Sequence, residues 1–174
     1  MGTEFAVGMG SNLGDRFGNL LIGALHLASY PGVTSFRLSG VFETPPAEGA
    51  RGGNFYNCVM VGEFGRTARE LLLACREAEA LAGSQVEKGN GPRTLDMDLL
   101  FFGSERRKGS MLTIPHPGLR RRRFVLEPLA QVWSGDVPGL DAAPAEMLRE
   151  CRDTAKISMV IPVPAEGRFW EVGR

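Results

Sequence analysis

No run in this 174-residue chain approaches the ~18 consecutive apolar residues that a membrane helix requires. Cysteine is scarce. Cys58, Cys75 and Cys151 are odd in number, far apart and without a C-x-x-C pair. That pattern argues against a disulfide framework or a thiolate zinc centre and for reduced cytosolic thiols. Net charge is missing as well, since 20 basic residues balance 20 acidic ones. Such a chain has no overall field to recruit nucleic acid or an anionic membrane. Met1-Gly2-Thr3-Glu4-Phe5 has no basic n-region and no apolar h-region, and Ala6 stands where a myristoylation pattern needs Ser or Thr. These absences predict a soluble cytoplasmic protein without a membrane or nucleic-acid partner. What is present is ordinary for a globular chain: 43% hydrophobic residues and a length that suits one domain, residues 1–174, with a real core. Seventeen of the 20 basic residues are Arg, which permits phosphate recognition.

The most informative stretch runs from Gly91 to Phe102. After Gly91-Pro92 the residues alternate as a strand does, with Leu95, Met97, Leu99 and Phe101 on one face and Thr94, Asp96, Asp98 and Leu100 on the other. The roots of two carboxylates at i and i+2 stand roughly 6–7 Å apart. That spacing suits hard cations, and Mg²⁺ favours one or two carboxylates plus substrate phosphates. The plain alternative is a wet strand face, because burying both Asp without partners costs several kcal/mol each. Arg93, a planar fork matched to phosphate, tips the reading towards metal-assisted phosphate chemistry.

The remaining elements follow in order. Phe5–Met9 reads as a strand, and Gly10-Ser11-Asn12-Leu13-Gly14-Asp15 turns into a helix over Arg16–Ser29 with Asp15 or Asn12 as cap. The turn resembles a nucleotide loop but lacks the P-loop Lys, and Leu13 occupies the place of the third dinucleotide-loop glycine. It therefore reads as structural, and the lone His26 on the helix takes no role. Val33–Phe42 reads as a strand stopped near Pro45-Pro46, and Ala47–Gly53 as a loop. In the next strand, Asn54–Val61, Asn57 shares a face with Phe55, Val59 and Val61. Asn57 is either a satisfied core amide or a reader of a heteroaromatic edge. Thr67–Ala82 carries a capping box (Thr67, Glu70), an apolar face and a terminating Gly83. Further on, Met111–Ile114 reads as extended, Pro115-His116-Pro117 as rigid and Phe124–Leu129 as a helical turn. Of Arg120-Arg121-Arg122-Arg123, one or two can face a cleft. Past Ser134 the signal weakens to a short helix within Ala142–Arg152 and a late strand within Ile157–Val163. The order strand–helix–strand–strand–helix–strand predicts an α+β fold, a ferredoxin-like βαββαβ sandwich with C-terminal additions. Its helices would lie on one face and its open face would carry Asn57, Asp96 and Asp98.

Taken together, Gly10-Ser11-Asn12-Leu13-Gly14, Glu43-Thr44-Pro45-Pro46, Phe55-Tyr56-Asn57, Gly91-Pro92-Arg93-Thr94-Leu95-Asp96-Met97-Asp98, Pro115-His116-Pro117 and Arg122-Arg123-Phe124-Val125-Leu126-Glu127-Pro128-Leu129 occur in one order. In that order they resemble the 6-hydroxymethyl-7,8-dihydropterin pyrophosphokinase family over about residues 5–133. The resemblance implies transfer of diphosphate from ATP to the pterin hydroxymethyl group with release of AMP, by a chain expected to act as a monomer. It implies two Mg²⁺ on Asp96 and Asp98, with Arg93, Asp96 and Asp98 catalytic. Arg76, Glu79, Arg93, Leu99, Thr113, His116 and Arg122 would meet ATP. Thr44, Pro45, Ala47, Asn57 and Asp96 would meet the pterin, held between Phe55 and Phe124. The chain departs from the family pattern in Ser84–Asn90, where Lys88 is the single basic residue, and at Met111, where an Arg is common. Those departures imply slow turnover unless Lys88, Arg106 or Arg107 substitutes. A non-catalytic pterin- or nucleotide-binding relative is the competing reading. An RNA-binding sheet is not supported, because the pI is about 6.7 and the RNP-1 aromatic pattern is missing.

Overall fold

In the computed structural model, residues 2–46, 52–84 and 91–162 are described. The pieces are β1 (Thr3–Ser11), α1 (Arg16–Ser29), β2 (Val33–Leu38), β3 (Val41–Thr44), β4 (Phe55–Phe64), α2 (Ala68–Leu81) and β5 (Asp96–Phe102). A 3-10 turn (Leu119–Arg121), α3 (Arg123–Val132), α4 (Pro144–Glu150) and β6 (Ser158–Ile161) complete them. The sheet runs β5-β1-β4-β3-β6, with β2 also on β4, and its pairings are antiparallel. The molecule is thus a mixed α and β structure with an antiparallel sheet.

Alternation explains the two cores. Phe5, Val7 and Met9 of β1 point towards α1 and α2, where Leu20, Ala24, Leu27, Leu71, Ala74 and Ala78 meet them. Asp15 caps α1 by accepting from the Gly18 N–H, and Thr67 with Glu70 closes the expected capping box on α2. Ala6, Val59 and Val61 face the other way, onto Leu126, Leu129 and Val132 of α3 and Met147 of α4. The sequence reading placed helices on one face only. α3 and α4 instead cover much of the second face, because Leu126, Leu129, Val132 and Met147 give them apolar sides to bury against Ala6, Val59 and Val61.

Two strand readings are corrected. The strand expected over Val33–Phe42 is divided at Ser39-Gly40, where the Ser39 hydroxyl donates to the Gly40 carbonyl and accepts from the Val59 N–H. In β5 the phase slips: Ala6 pairs with Phe101 but Val7 with Leu99, so Leu100 is a bulge residue. Leu100 and Phe101 consequently share the second face, and Phe102 turns back to the first. Phe101 does not join Met97 and Leu99 as strict alternation required.

Candidate active site

α3 leaves one end of the second face uncovered, and a cleft of about 200 Å³ opens there. That is below the ~300 Å³ at which drug-sized pockets begin, a scale that suits a single small ring system. The glycines of β1 form its floor. A Cβ on Gly10 would stand 2.9 Å from Asn57 Oδ1, so only glycine leaves room for the amide at its present position. The walls bring together Thr44, Pro45, Phe55, Asn57, Arg93, Asp96, Asp98, Arg122 and Phe124. Thr44 and Asn57 are buried, and the Asn57 amide donates to the Thr44 hydroxyl at 2.8 Å. One donor is thereby satisfied internally while the rest of the amide faces the cleft floor. Phe55 opens β4 and Phe124 lies in the first turn of α3, so the two rings come from separate elements.

The acidic side is organised by β5. Arg93 Nη1 donates to Asp96 Oδ1 at 2.6 Å, while Asp98 Oδ2 lies 3.6 Å from Arg122 Nη1 and 3.7 Å from His116 Nε2. Burial, then the charge of Asp98, pushes the Asp96 carboxyl above its usual range against the pull of Arg93. Burial and Arg122 lower the His116 imidazole, with Asp98 opposing them. His116 Nδ1 accepts from the Gly118 N–H, which orients the ring, and the His116 main-chain N–H donates to the Leu100 carbonyl, which holds the backbone beside β5. Among the described residues no group of three His, Cys, Asp or Glu could hold a metal by itself. Two half-exposed, mutually repelling carboxylates suit a hard cation that takes its other oxygens from a ligand or water.

Other predicted residues lie elsewhere. Glu79 is buried and accepts from the Met97 N–H and from Arg76, both at 2.7 Å. It covers the free edge of β5. The Leu99 side chain is 3% exposed inside the helix-side core. Its main chain shares the parity of Met97 and so faces that edge, the only part of Leu99 a ligand can meet. Thr113 donates to the Gly109 carbonyl. Arg76, Glu79, Leu99, Thr113 and His116 therefore do not line the cleft. Ala47 and Lys88 lie outside the described residues, and the Met111 side chain is exposed.

Sequence reasoning missed two clasps. The Asn12 side-chain oxygen accepts from the Arg93 N–H at 2.7 Å, the Asn12 main-chain N–H donates to the Arg93 carbonyl, and the side-chain amide nitrogen donates to the Gly53 carbonyl. Arg16 bonds Glu43 and the Asn54 carbonyl and lies over the Tyr56 ring. The glycine-rich turn read as structural is so, but its structure is what places Arg93. Nothing local in the sequence signals these partners, which stand 81 and 27 residues away.

A family model described as 7,8-dihydro-6-hydroxymethylpterin-pyrophosphokinase matches residues 6–134. The chain is 34% identical over 130 residues to a 2-amino-4-hydroxy-6-hydroxymethyldihydropteridine pyrophosphokinase of Methylorubrum extorquens, covering 75% of this chain and 82% of that one. It is 33% identical over 126 residues to the enzyme of that name from Bacillus subtilis, covering 72% and 75%. A solved HPPK-DHPS chain from Plasmodium falciparum superposes with a TM-score of 0.62 at 14% identity, over 86% of this chain and 41% of that one. The chain spans less than half of that longer protein, and the likeness is one of fold.

Proposed function

The chain belongs to the 7,8-dihydro-6-hydroxymethylpterin-pyrophosphokinase family, and from that premise we propose that its cleft performs the family's reaction. A diphosphate passes from ATP to the hydroxymethyl group of 6-hydroxymethyl-7,8-dihydropterin, in folate biosynthesis. The substrate hydroxyl oxygen forms a bond to the β-phosphorus, the bond from that phosphorus to the oxygen bridging it to the α-phosphorus breaks, AMP leaves with that oxygen, and the hydroxyl proton passes to solvent. The single observation that carries the reading is one cleft lined by an Asp pair, two arginines and two aromatic rings.

In this reading the pterin lies between Phe55 and Phe124, an offset stack worth about 0.5–1.5 kcal/mol per ring pair beyond area burial. Asn57 and Thr44 read its polar edge, beside Pro45 and Ala47. Asp96 and Asp98 would hold two Mg²⁺, and the cations would supply positive charge that screens the phosphates. Arg93 and Arg122, released from Asp96 and Asp98 when substrate binds, then meet phosphate oxygens and stabilise the charge that develops on them. His116 donates to phosphate from its Asp98-facing nitrogen. Arg76, Glu79, Thr113 and the Leu99 main chain border the nucleoside at the β5 edge. The strand order supports naming the core a ferredoxin-like sandwich. Among the described residues no helix is long and apolar enough to cross a membrane, in keeping with a cytoplasmic enzyme.

The test is AMP formation from ATP and Mg²⁺. It is expected only when hydroxymethyl-dihydropterin is present, with a fall of at least about 100-fold in Asp96→Ala and in Asp98→Ala. AMP release without the pterin, or Asp variants at wild-type rates, would falsify the assignment. Exposed Met111 and the Lys88 stretch support slow turnover. Single-turnover kinetics are expected to show a chemical step slower than in relatives with arginines there.

A further inference from the structure

The family match ends at residue 134, yet the chain beyond it returns to the cleft. α3 begins at Arg123 behind Arg122, and Arg122 supplies no side-chain cap. The missing acceptor comes from the far tail: Asp153 Oδ2 accepts from the Arg123 N–H at 3.0 Å. The other oxygen, Oδ1, accepts from the Ala155 N–H at 2.9 Å, which fixes the carboxylate in place. The helix start held in this way carries Arg122 and Phe124, both in the cleft wall.

Five residues later the same segment reaches the cleft wall that β3 leads into. Ser158 pairs with Glu43 and Met159 with Phe42, directly before the cleft residues Thr44 and Pro45. Gln131 of α3 ties the two ends together, accepting from the Gly40 N–H and donating to the Met159 sulfur. The tail thus spans from one wall of the cleft to the other.

We propose that residues 153–161 are a strap that fixes the separation of the two cleft walls, and that Asp153 is a positioning residue which orients Arg122 and Phe124 by capping α3. The proposal rests on the pterin reading of this cleft. Substituting a capping acceptor by Ala removes the bond that holds the first turn, whereas Asn still accepts the same N–H. The rings and the fork then lose register rather than chemistry.

The experiment compares wild type, Asp153→Ala and Asp153→Asn by fluorescence titration of the dihydropterin with a non-hydrolysable ATP analogue, by KM and kcat, and by melting. Asp153→Ala is expected to raise the pterin Kd and KM roughly threefold to tenfold through Phe124 and to lower kcat by a similar factor through Arg122, with Asp153→Asn near wild type. A lowered melting temperature with unchanged Kd, or equal loss in both variants, overturns the proposal. Should Asp153→Ala not fold, Asp153→Glu, with its acceptor one methylene further out, takes its place. Amide exchange of residues 122–126 in ligand-free protein, expected faster in Asp153→Ala than in Asp153→Asn, reads the strap without substrate. Wild type that binds no pterin therefore defeats the functional reading alone, and unaltered exchange defeats the strap alone.

Discussion

Glu79 is the residue at which burial and pairing compete most openly. Burial raises its carboxyl above the ordinary range, and the bonds from Arg76 and the Met97 N–H lower it without prevailing. A carboxyl with a higher pKa folded than unfolded binds more protons in the native state. Stability then falls as pH rises through that interval, and the loss is complete above the native pKa. Glu79→Gln keeps an acceptor for the Met97 N–H and removes the titration. Denaturant midpoints from about pH 4 to about pH 7 are expected to show the variant gaining on wild type as pH rises, then levelling off. A constant difference across that range would refute the assignment. Asp96 shows the same conflict at the cleft, where a carboxylate held beside Asp98 is costly until a cation arrives. Cys58, by contrast, is pushed up to about 12 by burial and stays a thiol although it lines the cleft.

β5 sets the site because it serves both cores. Before the Leu100 bulge its carboxylates face the cleft and its apolar residues face α1 and α2. After it, Phe101 packs edge-on to Trp133 at 4.8 Å between ring centroids. Phe101→Ala is expected to cost about 3–5 kcal/mol in chemical denaturation, since the side chain is fully buried and α3 rests on it. A loss below about 1 kcal/mol would mean that α3 does not depend on that contact. The capping box of α2 was legible because its signal lies within four residues of chain. The bulge was not, because nothing in Leu-Leu-Phe-Phe says where a two-residue period slips. That choice belongs to the pairing with Ala6 and Val7 on β1.

For the molecule as a whole, zero formal charge leaves recognition to local groups. On the proposed reading ATP with Mg²⁺ would bind the native state only, and at ~100 times its Kd it would add about 2.7 kcal/mol. For a chain of this size that raises the melting temperature by roughly 5–10 °C. Chelation should remove most of the shift, and Asp98→Ala should lose its metal-dependent part. A shift indifferent to chelator would place the triphosphate away from the Asp pair.

The sequence by itself determined the Asp pair beside Arg93, the capping box of α2 and the Pro-His-Pro element, because each is written in a short contiguous stretch whose chemistry or backbone restriction is local, and it determined the family through the order of several such stretches. Only the tertiary structure decided that α3 and α4 cover the second face, that Asn12 holds Arg93, that Glu79 is spent on the β5 edge and that Asp153 caps α3. Those partners lie between 18 and 81 residues apart. Their pairing follows from which apolar faces can be buried together, a property of the whole chain that no window along it contains.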